Sequence, residues 1–531
     1  MSRGEVARNV TRGAFFLGLE RALASLSTIL YSALIARWLG PGQYGMFTLA
    51  FSMVALATGL AGNTDMYLER FAAEYQVKDQ LRTLRRAFGI ALGAKLALGV
   101  LAAVVLLVLT PRLVIWYHMP ELGILLPLLT AFIVSDGFST TGRAMLFGLQ
   151  RYEWVSGLSL IFNLGRSALA VLLWDTHHSV RGLAIGLSVL AVTQAVAIWV
   201  ASVVVLRRAQ QARPADAGPE PGVVPGLPRQ MFAYCAPLFG ASLSFLSGQN
   251  IGKLVLGIVL TPADLGFFAF AFGTVERIVE VVYTLPRALL PSLTQMVARD
   301  DRESLHYVFG QAFRLVQVVA CVVSLLIFVF ARELVFAVGG PMFQRAIPML
   351  RLLALVPMVR TAQQPLTMLF QAWRRPGYVL SLALVKLLSE VTGWVALVIL
   401  VRMGAPGACW ANVLGAITAF AGAMWLGAGL LPEGSGERLG ATLRCMALVV
   451  PLELLAIAAD RWLVPEAALV ARAALPLVAI IGLFPLGLIV AYDLEKVSSL
   501  PLPGSWLARV RAGLVSATGA MIRTFGPGRP A

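Results

Sequence analysis

Residues 96–109 read LALGVLAAVVLLVL, and with their flanks they make an apolar run, bounded here at 86–110, whose one interior charge is Lys95. A helix needs about 20 residues to cross roughly 30 Å of hydrocarbon, so this run is long enough to span a bilayer. It shows none of the period-two alternation of a membrane β-strand. The rest of the chain repeats the pattern. Apolar residues make up 58% of the 531 and charged residues only 13%, with a mean hydropathy of +0.80. A water-facing surface needs charge near a quarter of the residues, so lipid is the main solvent. The expected fold is an all-α integral membrane protein.

Charge and Gly/Pro punctuation divide the apolar runs into about 14 transmembrane helices: 14–36, 44–68, 86–110, 122–148, 154–174, 181–206, 231–260, 264–290, 306–330, 343–371, 378–401, 407–431, 441–462 and 469–491. The first run is too long for a cleavable signal and leads straight into a second. With the N-terminus inside, 23 Lys and Arg fall in inner segments and six in outer ones. By the positive-inside rule both termini are cytoplasmic, and the net charge of +16 needs no nucleic-acid partner. Cys235, Cys321, Cys409 and Cys445 lie inside apolar runs and read as small core residues; His177–His178 reads as a solvated loop. No cofactor or metal is expected.

Two stretches echo one another. LGPGQYGMFTLAFS (39–52) and LTPADLGFFAFAFG (260–273) share six of fourteen positions at an offset of 221, which also pairs Pro127 with Pro348; MLFGLQR (145–151) pairs with MLFQAWR (368–374) at 223. Both copies start inside, so the repeat is parallel about an axis along the membrane normal. The expected organisation is a six-helix lobe over 1–206, a Pro/Gly-rich cytoplasmic linker at 207–229, a second six-helix lobe over 230–431, and two additional helices within 432–491. A cytoplasmic tail fills 492–531, with a possible interfacial helix at 505–525. Two such pseudo-symmetric lobes suit alternating access, with substrate between them.

An ionisable group in the bilayer core costs about 2.5–3.5 kcal/mol on insertion scales, so it faces a cavity or a partner. Lys253, Arg360 and Arg166 have no opposite charge on their own turn and are the first candidates for a cationic cavity; Arg143 joins them unless it snorkels to the interface. Asn250, Gln249, Gln363, Gln364 and Asn63 are polar cavity candidates. Asp65, Asp136, Glu276 and Glu280 are carboxylates available for ion coupling, although each can equally be a structural counter-charge. Lys386 and Glu390 are spaced to bridge within one helix. Cationic groups suit an anionic ligand such as a pyrophosphate, which Arg grips bidentately and Lys meets as a point charge.

The string ARWLGPGQYGMFTLAFS (36–52), followed by GLAGNTDMYLERFAAEY (59–75), resembles the opening of Wzx-type polysaccharide flippases of the multidrug/oligosaccharidyl-lipid/polysaccharide exporter superfamily. The matching positions are Arg37, Leu39–Pro41, Tyr44 and Gly45, then Arg70 with Glu74. The turn residues among them read as structural. The resemblance implies a non-enzyme that carries undecaprenyl-pyrophosphate-linked oligosaccharide across the bacterial cytoplasmic (inner) membrane for surface or exopolysaccharide synthesis. Its partners would be the lipid-linked oligosaccharide, membrane lipids, and a polysaccharide polymerase with its assembly proteins. A lipid II flippase and a multidrug/cation antiporter of the same superfamily are the alternatives. A membrane glycan polymerase or ligase fits less well, because the outer loops are short and gather no catalytic set.

Overall fold

The computed structural model describes residues 3–173, 180–211, 222–283, 290–373, 375–431, 435–462 and 464–483. Residues 212–221 of the expected linker, the chain past residue 483, His177–His178 and the 505–525 helix lie outside the described residues. What is described is helical throughout. The first group is α1 (Arg3–Leu60), α2 (Asp65–Val77), α3 (Leu81–Tyr117), α4 (Leu122–Gly148), α5 (Tyr152–Leu172), α6 (Val180–Gln211), α7 (Leu227–Val259) and α8 (Pro262–Val282). Then follow α9 (Leu290–Ala298), α10 (Arg302–Val329), α11 (Ala331–Val338), α12 (Ile347–Leu353), α13 (Leu355–Ala372), α14 (Pro376–Gly393), α15 (Gly404–Leu430), α16 (Ser435–Trp462) and α17 (Pro465–Leu483).

Among the described residues the expected spans fall on helices, with breaks inside spans two and ten. Among the described residues nine helices are long and apolar enough to cross a membrane, or ten if one bent pair counts as a single span. The difference has physical causes. Expected spans one and two are the two arms of α1, run together by helix geometry and broken only at Gly40, where φ is +66°. A positive φ of that size favours glycine, and Pro41 then opens the second arm with its φ already helical. Span two also ends sooner than expected: α1 stops at Leu60, Gly62 turns the chain at φ +86°, and α2 begins afresh. Span ten is not one rod either, since Pro341–Leu353 and Leu355–Ala372 meet at 40°. The surface agrees with a lipid solvent: Leu101, Val108, Leu172 and Val196 stand 59%, 71%, 71% and 54% exposed along α3, α5 and α6.

The chain divides into two compact units, one of residues 1–270 with 336–343 and one of 271–335 with 344–531. In the first, the two copies of the repeated motif pack on each other reciprocally. A methyl added at Gly45 would sit 2.0 Å from the Pro262 carbonyl oxygen, and one at Gly266 would sit 1.9 Å from that of Pro41. Gly45 and Gly266, like Pro41 and Pro262, are equivalent positions at the 221-residue offset, so the crossing is two-fold in sequence as in space. Only hydrogen side chains let backbones approach this closely. Around the crossing, Tyr44 meets Phe343 edge-on at 5.7 Å and Phe270 at 6.4 Å. Arg37 donates to the carbonyls of Phe336 and Ala337 at 3.0 and 2.6 Å, which caps the last turn of α11. The motif's turn residues are structural, as their type suggests.

In the second unit the two C-terminal helices are tied in by buried charge. Arg472 of α17, 2% exposed, donates to Glu333 at 2.8 Å and to the Val329 carbonyl at 3.3 Å, and lies 3.3 Å from Asp460 of α16. Asp460 also pairs with Arg351 of α12, whose guanidinium lies 5.6 Å from the centre of the Phe328 ring. Two cations and two carboxylates therefore close a neutral network.

Candidate functional site

The first unit assembles a charged cluster beside the break between α1 and α2. There the Thr64 hydroxyl donates to the Ala91 carbonyl of α3 at 3.0 Å and swings the start of α2 toward α3. Asp65 then receives the Lys95 ammonium at 2.9 Å, and Asp136 of α4 lies 3.7 Å from the same nitrogen. Lys95 is 4% exposed. Arg143, two turns further along α4, is exposed and within electrostatic reach of Asp136. Two candidate coupling carboxylates are thus brought to one lysine, and a second cation offsets the remaining charge. Asn63 lies in the turn itself, half-buried.

Arg166 of α5 stacks over Tyr31 of α1, 4.5 Å from the ring centre, and donates to the Thr28 hydroxyl at 3.0 Å. A cation held against an aromatic face gains about 0.5–2 kcal/mol from that contact. At the adjacent positions, the Ser27 and Ser167 hydroxyls are 2.9 Å apart and clasp α1 to α5. On α7, Asn250 is buried at 8% and Lys253 is half-buried; the Gln249 side chain lies outside what is described. A pocket of about 380 Å³ opens nearby, lined by apolar side chains that include Met53, Leu60, Leu98, Val105 and Tyr117, with Leu254 from α7.

In the second unit Arg360 of α13 pairs with Glu276 of α8, and its guanidinium lies 5.6 Å from the Tyr283 ring centre. Lys386 meets Glu390 at 2.6 Å within α14, the expected bridge between neighbouring turns. Glu390 is 1% exposed, because it packs against Gly415 of α15, where an added methyl would meet its Cγ at 2.4 Å. Arg360 also feels the Glu390 charge, so charges alternate across α8, α13 and α14. Just beyond Glu390 the helix widens into a π-helical turn, Trp394–Leu400, a form that recurs at functional sites. Gln363 and Gln364 follow Arg360 on the next turn, half-buried, and Glu280 is exposed.

Several of the candidates are paired with opposite charge. Arg360 has its carboxylate on another helix, 84 residues away in sequence, and Asp65 and Asp136 have Lys95. The Arg351–Asp460–Arg472–Glu333 network and the buried Glu453 of α16 lie outside the expected set. Their signal was a lone charge inside an apolar run, as in VVPLELLAIAAD (449–460). Among the described residues no group of three or more His, Cys, Asp or Glu side chains could hold a metal ion.

Residues 34–348 match the family described as polysaccharide biosynthesis protein. No curated protein matches the chain. Among solved structures it is similar to the lipid II flippase MurJ in an inward closed conformation, with a TM-score of 0.62 at 12% identity over 88% of this chain and 97% of that one. It is also similar to an inward-facing multidrug resistance MATE family transporter of the MOP superfamily, with a TM-score of 0.60 at 15% identity over 77% and 94%. A eukaryotic MATE transporter, AtDTX14, aligns with a TM-score of 0.53 at 13% identity over 83% and 99%. At such identities the likeness is one of fold.

Proposed function

The chain belongs to the polysaccharide biosynthesis protein family, and from that membership we propose that it is a flippase carrying undecaprenyl-pyrophosphate-linked oligosaccharide repeat units from the cytoplasmic to the outer leaflet by alternating access. The observation that carries the reading is the family match over 34–348 in a multi-pass helical protein. The fold is shared by a lipid II flippase and a multidrug resistance transporter, so fold alone does not choose among them; the polysaccharide family supports the glycan reading. The protein works in the inner membrane beside a polymerase and its assembly proteins, and it moves its substrate without chemistry on it.

The cationic groups Lys253, Arg360, Arg166 and Arg143 are the proposed pyrophosphate contacts, with Asn250, Gln249, Gln363, Gln364 and Asn63 toward the sugars. Arg360 already holds Glu276, so a phosphate must compete with that carboxylate, and release of Glu276 would accompany binding. Asp65, Asp136, Glu276 and Glu280 remain the proposed coupling carboxylates. The apolar pocket beside α3 suits a stretch of the isoprenoid tail.

In proteoliposomes the chain is expected to expose a lipid-linked oligosaccharide to the opposite leaflet, as read by a sugar-modifying enzyme added outside. Lys253→Ala should abolish this at normal protein level. Arg360→Ala leaves Glu276 without its partner, so the informative variant is Arg360→Gln with Glu276→Gln, which keeps the helix packing neutral. Full activity in both variants removes these cations from the substrate path; an inactive parent chain sinks the flippase reading. Orientation has its own check. Arg213→Cys should resist an impermeant thiol reagent in whole cells, and labelling there would invert the topology.

A further inference from the structure

Glu453 sits inside α16 and is 5% exposed, yet its Oε1 is sealed from solvent without a hydrogen-bond partner. It ends a stripe of residues four apart, Ala441, Cys445, Val449 and Glu453, that are 6%, 0%, 0% and 5% exposed. Residues at this spacing share one helical face, and this face packs on α10, with Cys321 and Cys445 in the same cluster. On α10, Gln317, Cys321 and Ser324 also stand on one face, each 0% exposed. The Ser324 hydroxyl is spent on the Ala354 carbonyl. Gln317 has neither amide atom hydrogen-bonded to a nitrogen or oxygen; it faces the Cys445 thiol, and Cys321 lies within electrostatic reach of Glu453. The interface of α10 and α16 therefore contains a track of small polar groups buried within the protein.

Among the described residues no cation answers the carboxylate. From α10 the titratable group facing it is Cys321; on α16 the same stripe carries Cys445. α15 has no charged residue. On α17 the charge packed toward α16 is Arg472, already bound to Asp460 and Glu333, and Asp460 is seven residues, about 10 Å along the helix, from Glu453. Arg438 is turned to the Leu431 carbonyl and Arg444 to that of Gly440. An uncompensated carboxylate in such surroundings costs several kcal/mol; one bound proton removes the charge.

We infer that Glu453 is a proton-binding site inside the second unit, its carboxylate and one proton forming the neutral acid with no other bond made or broken. Opening of the face between α10 and α16 would hydrate the group and let the proton go, which links proton movement to the transport cycle. That second step rests on the flippase reading; the binding of the proton does not.

Infrared spectroscopy of the purified chain at neutral pH should show a protonated-carboxyl band that disappears in Glu453→Gln. A band that persists unchanged in the variant overturns the site. Glutamine matches the neutral acid in shape, so failure of this variant to fold also counts against the proposal. In proteoliposomes, a pH gradient of one unit can drive at most about a tenfold accumulation of substrate per proton coupled. Glu453→Gln should still equilibrate the lipid-linked glycan while that accumulation falls to about one. Retained accumulation overturns the coupling. A parent chain that moves no glycan condemns the flippase reading, and the infrared result still decides the site.

Discussion

Replacing Gly45 with alanine will destabilise the protein far more than a surface Gly→Ala change, and replacing Gly266 will do the same. The added methyl would lie 2.0 Å from the Pro262 carbonyl oxygen in the first case and 1.9 Å from that of Pro41 in the second. Both obstacles are backbone atoms, so no rotamer change can relieve them and the helices must separate. Overpacking typically costs about 1–3 kcal/mol and more where the neighbour cannot yield; each variant should reach about 3 kcal/mol. Because the two sites share one crossing, the first methyl opens the gap the second needs. The double variant should therefore fall short of the summed losses by at least about 0.5 kcal/mol, as coupled neighbours do. Thermal unfolding in detergent measures all three. Wild-type stability in either single variant, or strict additivity, would mean that the crossing is looser than described.

Arg472→Ala is the second large effect. The side chain bridges Asp460 and Glu333 and reaches the Val329 carbonyl, so its loss strands charge and a carbonyl together. Removing one partner of a buried network costs about 3–5 kcal/mol, and here the loss loosens α16 and α17 from α10 and α11. Arg472→Lys should recover only part, since an ammonium cannot reproduce the planar fork that meets several acceptors at once. Melting temperature, together with protease access to the turn before α17, reads the outcome. Equal stability of the lysine variant and the parent would show that charge alone matters there.

How much of this was open to sequence reading depends on distance along the chain. The helices were, because an apolar run of sufficient length has one structure in lipid. The repeat was also legible, and it pointed at Gly45 and Gly266 as equivalent positions. What periodicity cannot show is that the equivalent glycines would touch each other. Nor can it show the break at residue 354, where no proline or glycine interrupts LRLLALV (350–356). The charges divide the same way. Lys386–Glu390 was legible because partners four apart meet on one helix. Lys95 with Asp65, Arg360 with Glu276 and Arg472 with Glu333 are 30, 84 and 139 residues apart, and only tertiary packing joins them. The repeat offers no help, since its copies share backbone contacts but not their ionisable residues: Lys95 corresponds to Val316, and Asp136 to Pro357.

The pairing of the buried charges bears on how the protein responds to voltage. Lys95 and Arg143 offset Asp65 and Asp136, Arg360 offsets Glu276, and the network at the end of α16 is neutral. Rearranging clusters of zero net charge moves little charge through the membrane field. The transmembrane potential is worth about 2.3 kcal/mol per elementary charge per 100 mV, and for the proposed cargo that work would fall on the pyrophosphate instead. An inside-negative membrane pushes an anionic headgroup outward, so the resting potential would favour export, and these paired clusters would add little to that bias.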